Sequence, residues 1–214
     1  MKQENLAMVT GIGCHAKIFD YININGIYGL HGRVIPTAQG VKIGNPKLTV
    51  IGFAGDGDTY SEGIGHFASA GRNDIDMTLI VHDNQSFSLT TGQPTATTQK
   101  GYVSKASPSG EKREPINPIK LALASGIKFV ARCNARDIAH TTEILKKAIN
   151  YKGFSYVEII QDCLIFNLEA NNKDKLMYKI NDNSDKTKAE KIAGEWDYNS
   201  KNGKIALGVI YRDS

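Results

Sequence analysis

Two short polar clusters carry the chemistry this chain offers most plainly. The first is Gly55-Asp56-Gly57-Asp58, which ends an apolar run from Leu48 to Ala54. The second is Asp83-Asn84-Gln85, which ends another apolar run from Ile75 to Val81. Gly55 and Gly57 let the backbone turn tightly and bring its N–H groups close to an anion, and a helix N-terminus just beyond favours phosphate. A carboxylate such as Asp56 beside a bare diphosphate would repel it, unless a cation lies between. Mg²⁺ suits that place, because it is hard, takes oxygen ligands, and is commonly held by one or two side chains plus phosphate oxygens. Asn84 offers an amide oxygen of the required kind, and the backbone carbonyls after it offer more. A lone GDG reads best as a hairpin turn. Two such clusters closing two neighbouring parallel strands favour the binding reading.

The elements that must position these clusters follow from periodicity. Two β-branched runs with a helix-length insert between them predict a βαβ unit with both clusters at strand carboxyl ends, where open α/β sheets bind ligands. The insert, a helix over Glu62–Ala70, is crowded with small residues and reads as a close-packing surface, with His66 as buried structure. Leu6–Thr10 reads as a first strand ending in Gly11-Ile12-Gly13-Cys14, a third glycine-rich strand end. Tyr21–Gly29 reads as a loop. Leu30-His31-Gly32-Arg33 precedes a helix over Val34–Gly44, with Pro36 tolerated in its first turn; a lone His31 there reads more often as a structural cap than as a phosphate donor. Pro94–Pro118, with Pro108, Pro115 and Pro118, reads as a long structureless loop, a lid or a grip on a neighbour. A helix over Ile119–Ser125 and a strand over Lys128–Ala131 come next. Asp137 is expected to cap a helix through Asn150 with an apolar stripe of Ile138, Ile144, Leu145, Ala148 and Ile149. Phe154–Ile160 is a buried strand and Lys204–Tyr211 a last one. The expected fold is α/β, a mostly parallel sheet with helices on both faces. It divides into a binding domain over 1–167 and a C-terminal arm over 168–214, which Trp196 and Tyr198 would pin to the body or to a partner.

Composition narrows the class. The chain has 214 residues and a net charge of +4, enough for one sizeable domain and too little charge to argue for nucleic acid. No apolar run is long enough to span a bilayer. The cysteines Cys14, Cys133 and Cys163 are too few and too widely spaced for a disulfide framework or a common zinc pattern. A reducing, cytoplasmic setting is expected.

GDG followed by Asn after a helix and a strand resembles the diphosphate-binding signature of thiamine diphosphate enzymes. GIGC (11–14), LHGR (30–33), GDGD (55–58), DNQSFSLTTGQ (83–93) and QDCLIFN (161–167), in that order, resemble the β subunit of 2-oxoacid:ferredoxin oxidoreductases, which include pyruvate and 2-oxoglutarate synthases. The resemblance runs from about Glu4 to Asn167. It implies the thiamine diphosphate-binding fold, with Ile12, Gly13, Cys14, His15, His31, Gly55, Gly57, Asp58, Ser88 and Leu89 around the coenzyme. It also implies Mg²⁺ on Asp56, Asn84 and the Ser86 carbonyl. Many members hold a [4Fe–4S] cluster, and Cys14 and Cys163 match two of its four ligands. The other two belong to a CxxC pair that would precede GIGC, and no such pair stands in this chain, so four-cysteine assembly by this chain alone is not expected. Cys133 matches no ligand and reads as a small buried apolar residue.

The resemblance further implies oxidative decarboxylation of a 2-oxoacid to an acyl-coenzyme A, with electrons passed to ferredoxin. The glutamate that activates the coenzyme belongs to a pyrimidine-binding domain, for which this chain has no room, so an α or fused αγ subunit is the implied partner in a heteromeric enzyme. No nucleic acid or membrane partner is expected. Family members vary at the position of Thr91, some carrying Lys and others Gly. Thr91 cannot pair with a second substrate carboxylate, which disfavours 2-oxoglutarate slightly. The competing readings are another thiamine diphosphate enzyme of the decarboxylase or acetolactate synthase type, and a degenerate, non-catalytic subunit.

Overall fold

The computed structural model describes residues 2–200 and 202–213; Met1, Lys201 and Ser214, including the outer limits of the two regions above, lie outside the described residues. Eight strands form one sheet: β1 (Leu6–Thr10), β2 (Asn25–Tyr28), β3 (Thr49–Gly55), β4 (Met77–Asp83), β5 (Phe129–Asn134), β6 (Phe154–Ile160), β7 (Met177–Lys179) and β8 (Ile205–Arg212). The order across the sheet is β2-β1-β3-β4-β6-β5-β8-β7. All pairings are parallel except β5 with β8.

The central strands bury both faces, as parallel strands between helix layers must. Along β3 and β4, Val50, Ala54, Leu79 and Val81 enter one core while Ile51, Phe53 and Ile80 enter the other. Four helices cover the first face: α1 (Val34–Gly44), α2 (Ile64–Asn73), α3 (Pro118–Ala124) and α5 (Lys186–Ala193). The second face is covered by α4 (Ile138–Asn150) and a 3₁₀ turn over Cys14–Asp20. Asp137 caps α4 by accepting from the His140 amide. Of the predicted stripe on that helix, Ile144 and Ala148 are buried, but Ile138, the first helical residue, is 76% exposed.

Several predicted boundaries move for identifiable reasons. Asn25–Tyr28, inside the predicted loop, is an edge strand held by parallel pairing with β1. All four of its residues are exposed, so they carry no alternation of burial to read. The helix expected over Glu62–Ala70 is split into a wide π turn, Gly57–Glu62, followed by α2. His66 on α2 is only partly buried. Between Asp83 and Asn117 there is no long helix or strand, yet Thr95, Thr97 and Thr98 are buried, so the middle of this stretch is interior structure. The segment after Leu168, read as a surface arm, contributes β7 and α5, and its Trp196 and Tyr198 are each 2% exposed within the body.

Candidate functional site

Parallel pairing places the carboxyl ends of β1, β3, β4 and β6 along one edge of the sheet. The strand order reverses between β1 and β3, the position at which doubly wound sheets open a crevice. There a cleft is lined by Ile12, Gly13, Cys14, His15, His31, Gly55, Asp56, Gly57, Asp58, Asn84, Ser86, Ser88 and Leu89. These are the residues singled out from the sequence, apart from Cys163. His82, Phe87, Thr90 and Gln161 also line the cleft. His82 and Gln161 could have been flagged, since each sits at a predicted strand end; Phe87 and Thr90 carried no signal of their own.

Backbone conformation opens the cleft floor. Gly13 has φ +141°, which side chains rarely adopt. A Cβ on Gly57 would collide with the Phe87 ring, so a side chain there would displace the cleft wall.

The acidic residues of GDGD take different work. Asp58 is 2% exposed, and its Oδ1 accepts from the Gly32 amide at 2.6 Å. The same carboxylate lies 3.5 Å from His31 Nδ1 and 3.6 Å from His15 Nε2. It thereby ties the LHGR turn to the end of β3, with His15 packed beside it. Burial pushes Asp58 up to about 6, and burial drops His15 to about 3, so His15 is neutral at physiological pH. Burial also lowers His82, whose Nδ1 is 3.0 Å from Gln161 Oε1 and donates to it.

Asp56 is 3% exposed, and its Oδ2 is 3.0 Å from Thr97 Oγ1. Thr97 Oγ1 is also 3.0 Å from Asp83 Oδ1. A hydroxyl has one proton to donate, so Thr97 is shared between the two carboxyl groups. Burial, followed by repulsion from Asp56, raises Asp83 well above the ordinary carboxylate range. Burial also raises Asp56, to about 6, against the hydrogen bonds from Thr95 and Thr97.

The second turn is equally ordered. Asn84 Oδ1 accepts from the Ser86 amide at 3.1 Å, and the Ser86 carbonyl accepts from the Ser88 amide at 2.9 Å. The Ser86 carbonyl also has Ser88 Oγ at 3.4 Å, a long contact that a cation could displace. One carboxylate, one amide and one carbonyl, with ligand phosphate completing the shell, is the donor set Mg²⁺ takes. Among the described residues no group of three His, Cys, Asp or Glu forms a metal site; this donor set needs only one of those types.

Cys14 is exposed at the cleft mouth, whereas Cys163 and Cys133 are buried. Burial and the proximity of Cys163 raise the Cys14 thiol. Burial would also raise Cys163, but hydrogen bonds from Ser88 Oγ and the amides of residues 165–167 outweigh it and lower the thiol. The Ser88 Oγ to Cys163 Sγ distance is 3.1 Å. Cys133 is pushed up to about 12 by burial, in keeping with an inert core thiol.

A sheet of this topology with a diphosphate-type cleft at its switch point defines a class, and residues 11–159 match the family described as thiamine pyrophosphate enzyme, C-terminal TPP binding domain. Within that class, the chain belongs to the 2-oxoacid:ferredoxin oxidoreductase β-subunit family. It is 42% identical to 2-oxoacid:ferredoxin oxidoreductase subunit beta of Saccharolobus solfataricus, over 84% of this chain and 60% of that one. It is 38% identical to 2-oxoacid:ferredoxin oxidoreductase 1, subunit beta, of Aeropyrum pernix, over 95% of this chain and 68% of that one. It superposes with a TM-score of 0.91 at 29% identity on 2-oxoglutarate:ferredoxin oxidoreductase from Magnetococcus marinus, solved with 2-oxoglutarate, coenzyme A and succinyl-CoA bound; the match covers 100% of this chain and 74% of that one. The chain thus spans about 60% of the length of some of the curated relatives it matches. Among the described residues no helix is long and apolar enough to cross a membrane.

Proposed function

We propose that this chain is the coenzyme-binding half of a 2-oxoacid:ferredoxin oxidoreductase, active with an α or fused αγ subunit that completes the site. The observation that carries this reading is the meeting of Asp56 and Asn84, from the ends of adjacent strands β3 and β4, in one cleft with His31, Ser86 and Ser88. When bound, thiamine diphosphate supplies the carbanion equivalent that attacks the 2-keto carbon and the electron sink that takes up the pair released with CO₂. The chain's own residues hold and orient. Asp56, Asn84 and the Ser86 carbonyl would carry Mg²⁺, with Thr97 fixing the Asp56 carboxylate. His31, at the start of the turn that Asp58 secures, would donate to the diphosphate. Leu89 and Phe87 give the cleft its apolar wall. The glutamate that activates the aminopyrimidine comes from the partner in this reading. Electrons then pass to ferredoxin and the acyl group to coenzyme A. Cys14 and Cys163, which flank the cleft, would ligate an iron–sulfur cluster whose other thiolates come from elsewhere.

The test uses the chain with its partner subunit. Thiamine diphosphate should bind only with Mg²⁺ present, and 2-oxoacids should then reduce ferredoxin in a coenzyme A-dependent reaction. Asp56→Ala should abolish the Mg²⁺-dependent binding. Binding that is indifferent to EDTA and to that substitution would refute the metal assignment, and a complex that binds the coenzyme but never reduces an acceptor would mark a non-catalytic subunit.

A further inference from the structure

Gln85 stands between Asn84 and Ser86, two of the three residues assigned to the metal, and does not itself line the cleft. It has φ +56°, a left-handed conformation that costs a non-glycine residue free energy unless its surroundings hold it there. Its surroundings do. The amide donates to Asp83 Oδ1 at 2.9 Å, and the carbonyl accepts from Thr98 Oγ1 at 2.6 Å and from Asn167 Nδ2 at 2.9 Å. The side-chain nitrogen donates to the Thr97 carbonyl and, at 3.1 Å, to the carbonyl of Tyr198. Two carbonyls can be met only by an NH₂ group, so the amide orientation is determined by its partners.

Tyr198 is itself anchored. Its phenol contacts Glu158 Oε1 and Oε2 at 2.6 and 2.7 Å and accepts from Arg132 Nη2 at 2.7 Å. Its ring stacks on Trp196 with centroids 3.9 Å apart. Glu158 is paired with Val81 across β6 and β4, two residues before the second metal turn begins. Arg132, Glu158 and Tyr198 are therefore a buried peg driven into the sheet beside the site, and Gln85 is hung from its backbone. Asn167 and Tyr198 both lie beyond the residues matched to the family domain.

We infer that Gln85 is a positioning residue for the metal-binding turn, and that the C-terminal segment, through Tyr198, sets the affinity for the metal–coenzyme pair. This rests on the function proposed above. Its content is that residues 168–200 are part of the binding machinery even though none of them lines the cleft. Holding Gln85 in the left-handed region presents Asn84 Oδ1 and the Ser86 carbonyl to the same point. Releasing it lets the turn relax to an ordinary conformation and separates the two oxygens.

The test compares the parent chain, Gln85→Met, Tyr198→Phe and the double variant, each with the partner subunit. Metal affinity is read by Mg²⁺ titration at saturating thiamine diphosphate and by the proton relaxation of bound Mn²⁺. Gln85→Met keeps the size of the side chain and strands two carbonyls, so metal affinity should fall roughly tenfold. Tyr198→Phe should weaken it several-fold, and should add nothing once Gln85 is Met, an interdependence that general destabilisation would not produce. Without any ligand, Tyr198→Phe should also speed hydrogen exchange at the Phe87 amide, which bonds the Gln93 carbonyl; this reading decides the matter if Gln85→Met does not assemble. Parent-like metal affinity in Gln85→Met, additive effects in the double variant, or unchanged exchange at Phe87 would overturn the inference. A parent complex that binds no Mg²⁺–thiamine diphosphate would instead overturn the function it rests on.

Discussion

Replacing Asp56 by Asn should make the empty protein more stable and the metal-binding protein worse, and the two effects can be separated by pH. Asp56 is 3% exposed, and burial moves its pKa from 3.8 to about 6. That rise corresponds to at most ~3 kcal/mol of differential stability at ~1.36 kcal/mol per unit. Because the folded value lies above the unfolded one, folding favours the protonated acid. Stability is full below about 3.8, is lost as pH rises toward about 6, and stays reduced above that. Asp56→Asn keeps the shape and an acceptor for Thr97 Oγ1 while removing the charge. Urea unfolding without ligand should therefore show the variant more stable than the parent by about 1–3 kcal/mol near pH 8, with the gain vanishing near pH 4. Mg²⁺-dependent coenzyme affinity should fall by a factor on the order of 10³, the scale of losing one partner of a buried charge pair. An unliganded variant no more stable at pH 8 than the parent would refute the burial argument. Undiminished affinity for Mg²⁺ would refute the ligand assignment.

The remaining predictions concern packing and shape. Arg132→Met leaves Glu158 buried with its charge uncompensated, so unfolding should be easier by about 3–5 kcal/mol, and Arg132→Met/Glu158→Leu should recover most of that loss in thermal denaturation. Thr91 is a β-branched residue with φ +85°; Thr91→Gly should stabilise the fold by about 1 kcal/mol, visible as a raised midpoint. Gly57→Ala should push Phe87 from the cleft wall and weaken coenzyme binding roughly tenfold, with little change in the melting of the empty protein.

Much of the site was legible because its residues sit at the ends of short, strongly apolar strands. Leu48–Ala54 and Ile75–Val81 could be read as neighbouring parallel strands, and the pairing of β3 with β4 follows. What could not be read depended on contacts distant in sequence. Thr97 looks like one polar residue in a flexible loop until it is placed between Asp56 and Asp83. Tyr198 is separated from Gln85 by 113 residues, and contacts with Arg132 on β5 and Glu158 on β6 hold that part of the chain beside the site. The polar run after Leu168 suggested a solvated arm, because its lysines and asparagines outnumber the few aromatic residues that seat it. The edge strand β2 was missed for the opposite reason: main-chain pairing defines it, and side chains say nothing about it.

The chain contains one tryptophan, and it is Trp196, 2% exposed, stacked on Tyr198 with the Arg132 guanidinium 5.4 Å from its ring centre. Nature has thus left a single optical probe at the foot of the C-terminal segment. In the separate chain its emission should be short in wavelength and shielded from iodide while that segment is seated, and should move to the red when it lifts away, so docking can be followed without a label.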